Sequence, residues 1–386
     1  MSIGTLLLIV LCNMSSFRAS KVLISLFAIE LGASQVTIGL MIAMYSLLPA
    51  LLAVYAGKLS DRLGVRVPML VGSLGVAAGL LLPWLAPGLP ALYASAALIG
   101  ASHMFYNVSA QNLVGSLGGA EERTRNFANY ALAMAIGSVI GPLFAGFSID
   151  FVGHATGYLY IAALPLVPVL IMASARTVGR GPRLKTEEEQ AVLSTSLLAN
   201  PVLRRTLIAS AVAVTAQDLF QFYMPIYGHS VGLSASAIGV VLAMSGIAAF
   251  AVRIGLPRLV KRFGPDTVFN GSLFISAVTF LLFPLFVSAP ALAAIALVLG
   301  LGMGCAQPVT LMLIFSRAPE GRSGEALGMR VTINQLTHIA VPVIFGTIGS
   351  VFGVAPVFIV NALILAGGGL LNREKTPPPV DADKRR

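Results

Sequence analysis

The chain is 386 residues long, 57% hydrophobic and only 10% charged, with a mean hydropathy of +0.89 and a formal net charge of +10. Soluble domains carry about a quarter charged residues, so a soluble fold is excluded and an integral membrane protein is indicated. The basic excess does not point to nucleic acid: every Lys and Arg except Arg18, Lys21, Arg253 and Arg330 stands in or beside alternate connections between apolar runs, or in the C-terminal tail.

Stretches of spanning length, about 20 residues each, fall at 3–28, 36–57, 68–87, 90–116, 125–150 and 156–175, then at 203–228, 235–257, 266–288, 290–316, 323–350 and 354–372. They predict an all-α integral membrane protein of about twelve helices in two sets of six. A span must satisfy its own backbone, and the alternating pattern of a membrane barrel is missing. The first run contains Arg18 and Lys21 and lacks a basic leader, so it reads as a span rather than a cleaved signal. Cys12 and Cys305 both sit inside apolar runs, so no disulfide framework follows.

The expected organisation is a six-helix bundle at 1–175, a cytoplasmic linker at 176–202, a second bundle at 203–372 and a disordered cytoplasmic tail at 373–386. Connections around 30–35, 87–90, 150–156, 228–234, 288–290 and 350–356 contain no Lys or Arg. The intervening ones carry Lys58, Arg62, Arg66, Arg123, Arg125, Arg258, Lys261, Arg262, Arg317 and Arg322. Both termini are therefore expected in the cytoplasm.

The charged turn from Gly57 to Arg66 recurs in outline 200 positions later. Leu59, Arg62 and Gly64 return as Leu259, Arg262 and Gly264, but Asp61 becomes Lys261. At the same offset Gly32, Ser34, Ile38, Gly39, Ala43 and Met44 match Gly232, Ser234, Ile238, Gly239, Ala243 and Met244, and Pro142 and Gly146 match Pro342 and Gly346. Halves repeated in one orientation imply a two-fold axis along the membrane normal and a site near the midplane between them.

With these motifs the sequence resembles the major facilitator superfamily of secondary transporters over essentially its whole length, and within it the proton-coupled drug and metabolite antiporters. The family's turn between the second and third helices, G-x-x-x-D-R-x-G-R-[RK], is matched by Gly57, Asp61, Arg62, Gly64 and Arg66, with Val65 departing where a basic residue is usual. The resemblance implies a cytoplasmic gate, in which Asp61 would meet the start of the eleventh helix near Arg322. The fifth span carries Gly137, Gly141, Pro142 and Gly146, which look like the glycine–proline motif of the antiporters and imply export. Small residues four apart also let helices approach closely, which is the plainer reading of the same residues. The antiporters' fourth-helix arginine is absent: Ala96 stands four residues before Gly100.

An ionisable group at bilayer depth costs about 2.5–3.5 kcal/mol, so it faces a cavity or a partner. Arg18 lies about 22 Å of helix rise from the start of the first span. Its repeat equivalent is Asp218, and that of Lys21 is Gln221. In the family the first and seventh helices line the central cavity, which implies that Arg18, Lys21, Asp218 and Gln221 surround the transport path. Asp218 is the expected proton carrier; a permanent pairing of Asp218 with Arg18 or Lys21 is the structural alternative. Polar stripes, His103–Asn107–Gln111 on the fourth span and Arg330–Asn334–His338 on the eleventh, add candidates to the path, although helix–helix hydrogen bonding explains them equally well. Arg253 is expected to snorkel and Trp84 to anchor an interface.

The expected function is secondary active transport by alternating access, with proton-coupled efflux of an amphipathic or anionic small molecule across a bacterial inner membrane. One alternative is a proton symporter or facilitator importing small carboxylates; another is a non-transporting membrane sensor. No H-E-x-x-H, G-x-S-x-G or aspartate-rich metal motif occurs, so neither catalysis, metal nor cofactor is expected. The expected partners are substrate, protons and the bilayer, with the chain a monomer.

Overall fold

The structure is a computed structural model that describes residues 3–117, 120–174, 197, 199–319 and 322–373, with side chains described throughout except at 53–62, 116, 120–121, 123–124, 323–324 and 373. Twelve long helices follow one another: α1 (Ile3–Glu30), α2 (Gln35–Leu63), α3 (Arg66–Leu85), α4 (Leu89–Ser116), α5 (Ala120–Val152), α6 (His154–Ser174), α7 (Pro201–Ser230), α8 (Ala235–Phe263), α9 (Pro265–Leu282, continued by a 3-10 turn at Phe283–Leu285), α10 (Ala289–Arg317), α11 (Ser323–Phe352) and α12 (Val354–Arg373). No strand occurs among the described residues. The expected linker and tail fall almost wholly outside them, apart from Leu197, which is buried against Leu203 and Ile314, and Asn200, whose side chain accepts from Val202 N and Leu203 N to start α7.

Among the described residues, eleven helices are long and apolar enough to cross a membrane by length and composition. The exception is α4, whose Ser95, Ser102, His103 and Ser109 are buried inside the bundle. A spanning helix can be this polar only because protein, not lipid, surrounds that face.

The repeat governs helix ends as well as sequence. Glycines with positive φ stand at 32, 64 and 153 in the first half and at 232, 264 and 353 in the second, the same positions 200 residues on. Ser34 and Ser234 cap α2 and α8 alike, each accepting a backbone N–H three residues ahead at 3.2 Å.

Two crossed seams join the halves, α2 against α11 and α5 against α8, with α1 facing α7 at the centre. Gly39 lies on the carbonyl of Pro342, and its copy Gly239 lies on the carbonyl of Pro142. Gly146 lies on the carbonyl of Ala235, and its copy Gly346 on that of Gln35. None of the four has room for a Cβ, so the backbones touch directly. Gly137 and Gly141 serve a different contact: they seat α5 on α1, at Met14 and at Ser15 and the Arg18 stem. Trp84 is part-exposed in the last turn of α3, at the end where an interfacial anchor is expected.

Candidate substrate and proton path

Among the described residues, hydrogen bonds join the halves at mid-helix and on the face opposite the termini. Arg18 donates to Gln221 at mid-helix, and Tyr223 donates to the Gln35 side chain. On the face opposite the termini, Val36 N donates to Ser350 Oγ (3.1 Å), while Ala235 N and Ser236 N donate to the two carboxylate oxygens of Asp150 (3.1 and 2.8 Å). These bonds hold the halves together on that face.

The central charges come from three helices. Arg18 and Lys21 sit on α1, Asp218 and Gln221 on α7, and Arg330, Asn334 and His338 on α11. His338 Nδ1 lies 2.5 Å from Asp218 Oδ2. The described partner of Asp218 is thus His338, not Arg18 or Lys21, and the structural alternative of an Arg18–Asp218 or Lys21–Asp218 bond across the halves is not what the fold makes. Arg18 is held instead by a neutral amide, and its Nε has no hydrogen-bond partner. Lys21 directs its ammonium over the rings of Phe17 and Tyr45, at 5.2 and 5.5 Å from their centroids. Cation–π contact favours a charge in such a position without neutralising it.

Two small cavities flank these groups. One, of about 20 Å³, is lined by Lys21, Ser46, Asp218, Gln221 and His338 on the α2–α11 side. The other, of about 50 Å³, is lined by Arg18, Lys21, Ser138, Gln221 and Ser245 on the α5–α8 side. They have room for one water and for a few waters, respectively. Lys21 and Gln221 form walls of both. The acid and the histidine therefore face one chamber and Arg18 faces the other.

The remaining expected path residues fall into two groups. Asn334 is buried with its Oδ1 unpartnered, and Arg330 donates through Nε to Ser210 Oγ at 3.3 Å. Both share the helix of His338. The α4 residues are engaged within the first half: Asn107 Oδ1 accepts from Tyr130 (3.0 Å) and from Gln111 Nε2 (2.5 Å). His103 stacks on Phe17 at 3.9 Å, so it braces the ring beneath Lys21. Ser46, Ser138, Ser245 and Tyr45 join the site only in the structure, since lone Ser and Tyr residues in apolar helices carry no spacing signal.

The gate candidates Gly57, Asp61 and Arg62 have side chains outside the described residues; α2 runs through all three and stops at Gly64, whose φ is 74°. Arg66 is described, and it donates to the carbonyls of Met172 (2.8 Å) and Ala173 (3.3 Å) at the end of α6, within its own half. Arg322, expected near the gate's receiving end, forms a two-pronged bond with Glu325 (2.7 and 2.8 Å), which raises its guanidinium above the ordinary value. Arg253, expected to snorkel, donates through Nε to the Gly304 carbonyl on α10 at 3.2 Å, where the missing Cβ of Gly304 lets α8 approach at Ala249 and Val252.

The chain matches the Major Facilitator Superfamily over residues 6–342 and again over 207–386. It belongs to that superfamily. It is 25% identical over 367 residues to a multidrug efflux pump, LfrA, of Mycolicibacterium smegmatis, covering 80% of this chain and 72% of that protein. It is 24% identical over 339 residues to the multidrug resistance protein MdtG of Enterobacter lignolyticus, covering 85% and 79%. Among solved structures, the nucleoside transporter NupG superposes with a TM-score of 0.81 at 14% identity, covering 97% of this chain and all of that one. The last likeness is one of fold. The superfamily member described here is a multi-pass membrane transporter of a small molecule and not an enzyme.

Proposed function

We propose that the protein is a proton-coupled exporter of small amphipathic molecules in a bacterial inner membrane, with both termini in the cytoplasm and the pair Asp218–His338 as its proton site. The observation that carries the reading is that pair: a carboxylate and an imidazole in hydrogen-bond contact, about 26 Å of helix rise from the start of α7, lining a chamber beside the transport axis. Either side chain can carry a proton and pass it to the other across that contact, which gives the site a group able to load and release one. The efflux and resistance names of the relatives support the direction. The chamber on the other side of Lys21, with Arg18 and two serines, is the substrate side.

Arg18 and Lys21 also favour a second reading, uptake of small carboxylates with protons. Coulomb's law gives the two readings opposite signatures. A proton added at Asp218–His338 makes the site more positive, so it helps an anion to bind beside Arg18, and mutual help is what a symporter needs. An exporter driven by proton exchange needs the opposite, a substrate whose binding is weakened by the proton. The test is substrate affinity of the purified protein in detergent, across a panel of neutral amphipathic compounds and small carboxylates, at acidic and neutral pH. The export reading expects tightest binding by an amphipathic compound, with affinity falling as pH falls. A small carboxylate whose affinity rises on acidification would overturn it in favour of symport, and no binding by any compound would favour a sensor.

A further inference from the structure

The two contacts that join the halves on the face opposite the termini occupy equivalent places in the repeat and differ in chemistry. Asp150, at the end of α5, receives two backbone N–H groups from the first turn of α8. Its copy at the end of α11 is Ser350, which receives one N–H from the first turn of α2. Beneath each, a glycine without room for a Cβ brings the helices together, Gly146 on Ala235 and Gly346 on Gln35. Both seams thus close by a side chain capping a helix start of the opposite half. Only one of them carries a charge.

A carboxylate at a helix N-terminus is favoured by both the free N–H groups and the helix dipole, and its protonation removes the charge and one acceptor. Asp150 is exposed, so protons on that face reach it directly. The ionisable group that faces it is His154 on α6, which is paired with Glu30 of α1 at 2.5 Å and has His229, at the end of α7, as a further neighbour. The Glu30–His154 pair lies inside the first half and cannot hold the halves together. The first turns of α8 and α2 contribute no charged side chain.

We propose that Asp150 is a proton-operated latch: ionised, it clamps α5 to the start of α8 and keeps this face shut; protonated, it releases the halves there. This places a proton sensor on the opposite face from the charged turn at Asp61, and separate from the central Asp218–His338 pair.

The experiment is a distance measurement by pulsed electron paramagnetic resonance on the full chain in nanodiscs. Leu85 and Leu285 are repeat equivalents on this face in opposite halves, exposed at 66% and 71%, and suit spin labels after Leu→Cys exchange, with Cys12 and Cys305 replaced by alanine. Lowering the pH from about 8 to about 4, where an ordinary aspartate is about half protonated, is expected to enlarge the long-distance population of the otherwise unaltered protein about 1.5-fold, part of the way to the fivefold limit that ~1 kcal/mol of lost carboxylate–helix attraction sets. Asp150→Asn is expected to show the enlarged population at both pH values, and Ser350→Ala to keep the pH response. A pH response that survives in Asp150→Asn overturns the proposal; if it then disappears in Asp218→Asn it belongs to the central pair, and if in His154→Gln to the histidine. A distance that never changes with pH also overturns it.

Discussion

Gly39 rests on the carbonyl of Pro342 and Gly239 on the carbonyl of Pro142, so the two seams between the halves are built from one plan used twice. The central helices laid over one another by the same plan hold different chemistry: Arg18 and Lys21 in the first half, Asp218 and Gln221 in the second. The seams must stay alike because each brings backbone to backbone, where a single Cβ has nowhere to go. The cavity walls are under no such constraint, and there the copies have diverged to opposite charge. Repetition in this molecule sets the frame for movement, and the departures from it set what is moved.

The largest effects should come from breaking the shared frame. Gly39→Val and Gly239→Val are each expected to reduce transport in proteoliposomes to background, since each pushes a branched side chain into a facing carbonyl. Gly255→Ala, at a position with open space around it, should leave transport within about twofold of the unaltered protein. A dead Gly239→Val beside a fully active Gly39→Val would show that the seams are not equivalent. A smaller effect is expected from the diverged wall. Arg18→Gln removes a cation that a neutral amide now holds, so preference for anionic over neutral compounds should fall about tenfold, read by competition binding, in line with the 1.5–3 kcal/mol typical of a charged hydrogen bond. An unchanged preference would leave Arg18 as a brace between α1 and α7 alone.

Much of this was legible in the sequence because it repeats. The offset that pairs Ser34 with Ser234 and Gly39 with Gly239 marked the repeating positions, and the structure uses them as caps and seams. Arg18, Lys21, Asp218 and Gln221 were visible because a charge or amide in an apolar run is conspicuous, and the structure brings all four to the walls of two neighbouring chambers. Their pairing was not legible. Asp218 was expected opposite a cation of α1, but His338 reaches it from α11, and helix rotation about its own axis leaves no trace in a single sequence. The α4 stripe left two readings open, and the contacts found are of the helix–helix kind: His103 faces Phe17 and Asn107 faces Tyr130 inside one half. Asp150 escaped notice because it stands beside a connection, where an acidic residue is ordinary; only the start of α8 lying against it gives it a role. Arg66 likewise sits in a family motif whose expected gate role says nothing of the α6 carbonyls it caps.

The central claim is that the Asp218–His338 pair couples transport to protons. It is tested most directly by Asp218→Asn in proteoliposomes, comparing transport driven by an imposed pH gradient with substrate exchange in its absence. The account predicts that gradient-driven accumulation is lost while exchange persists. Accumulation that still follows the pH gradient in Asp218→Asn would contradict it.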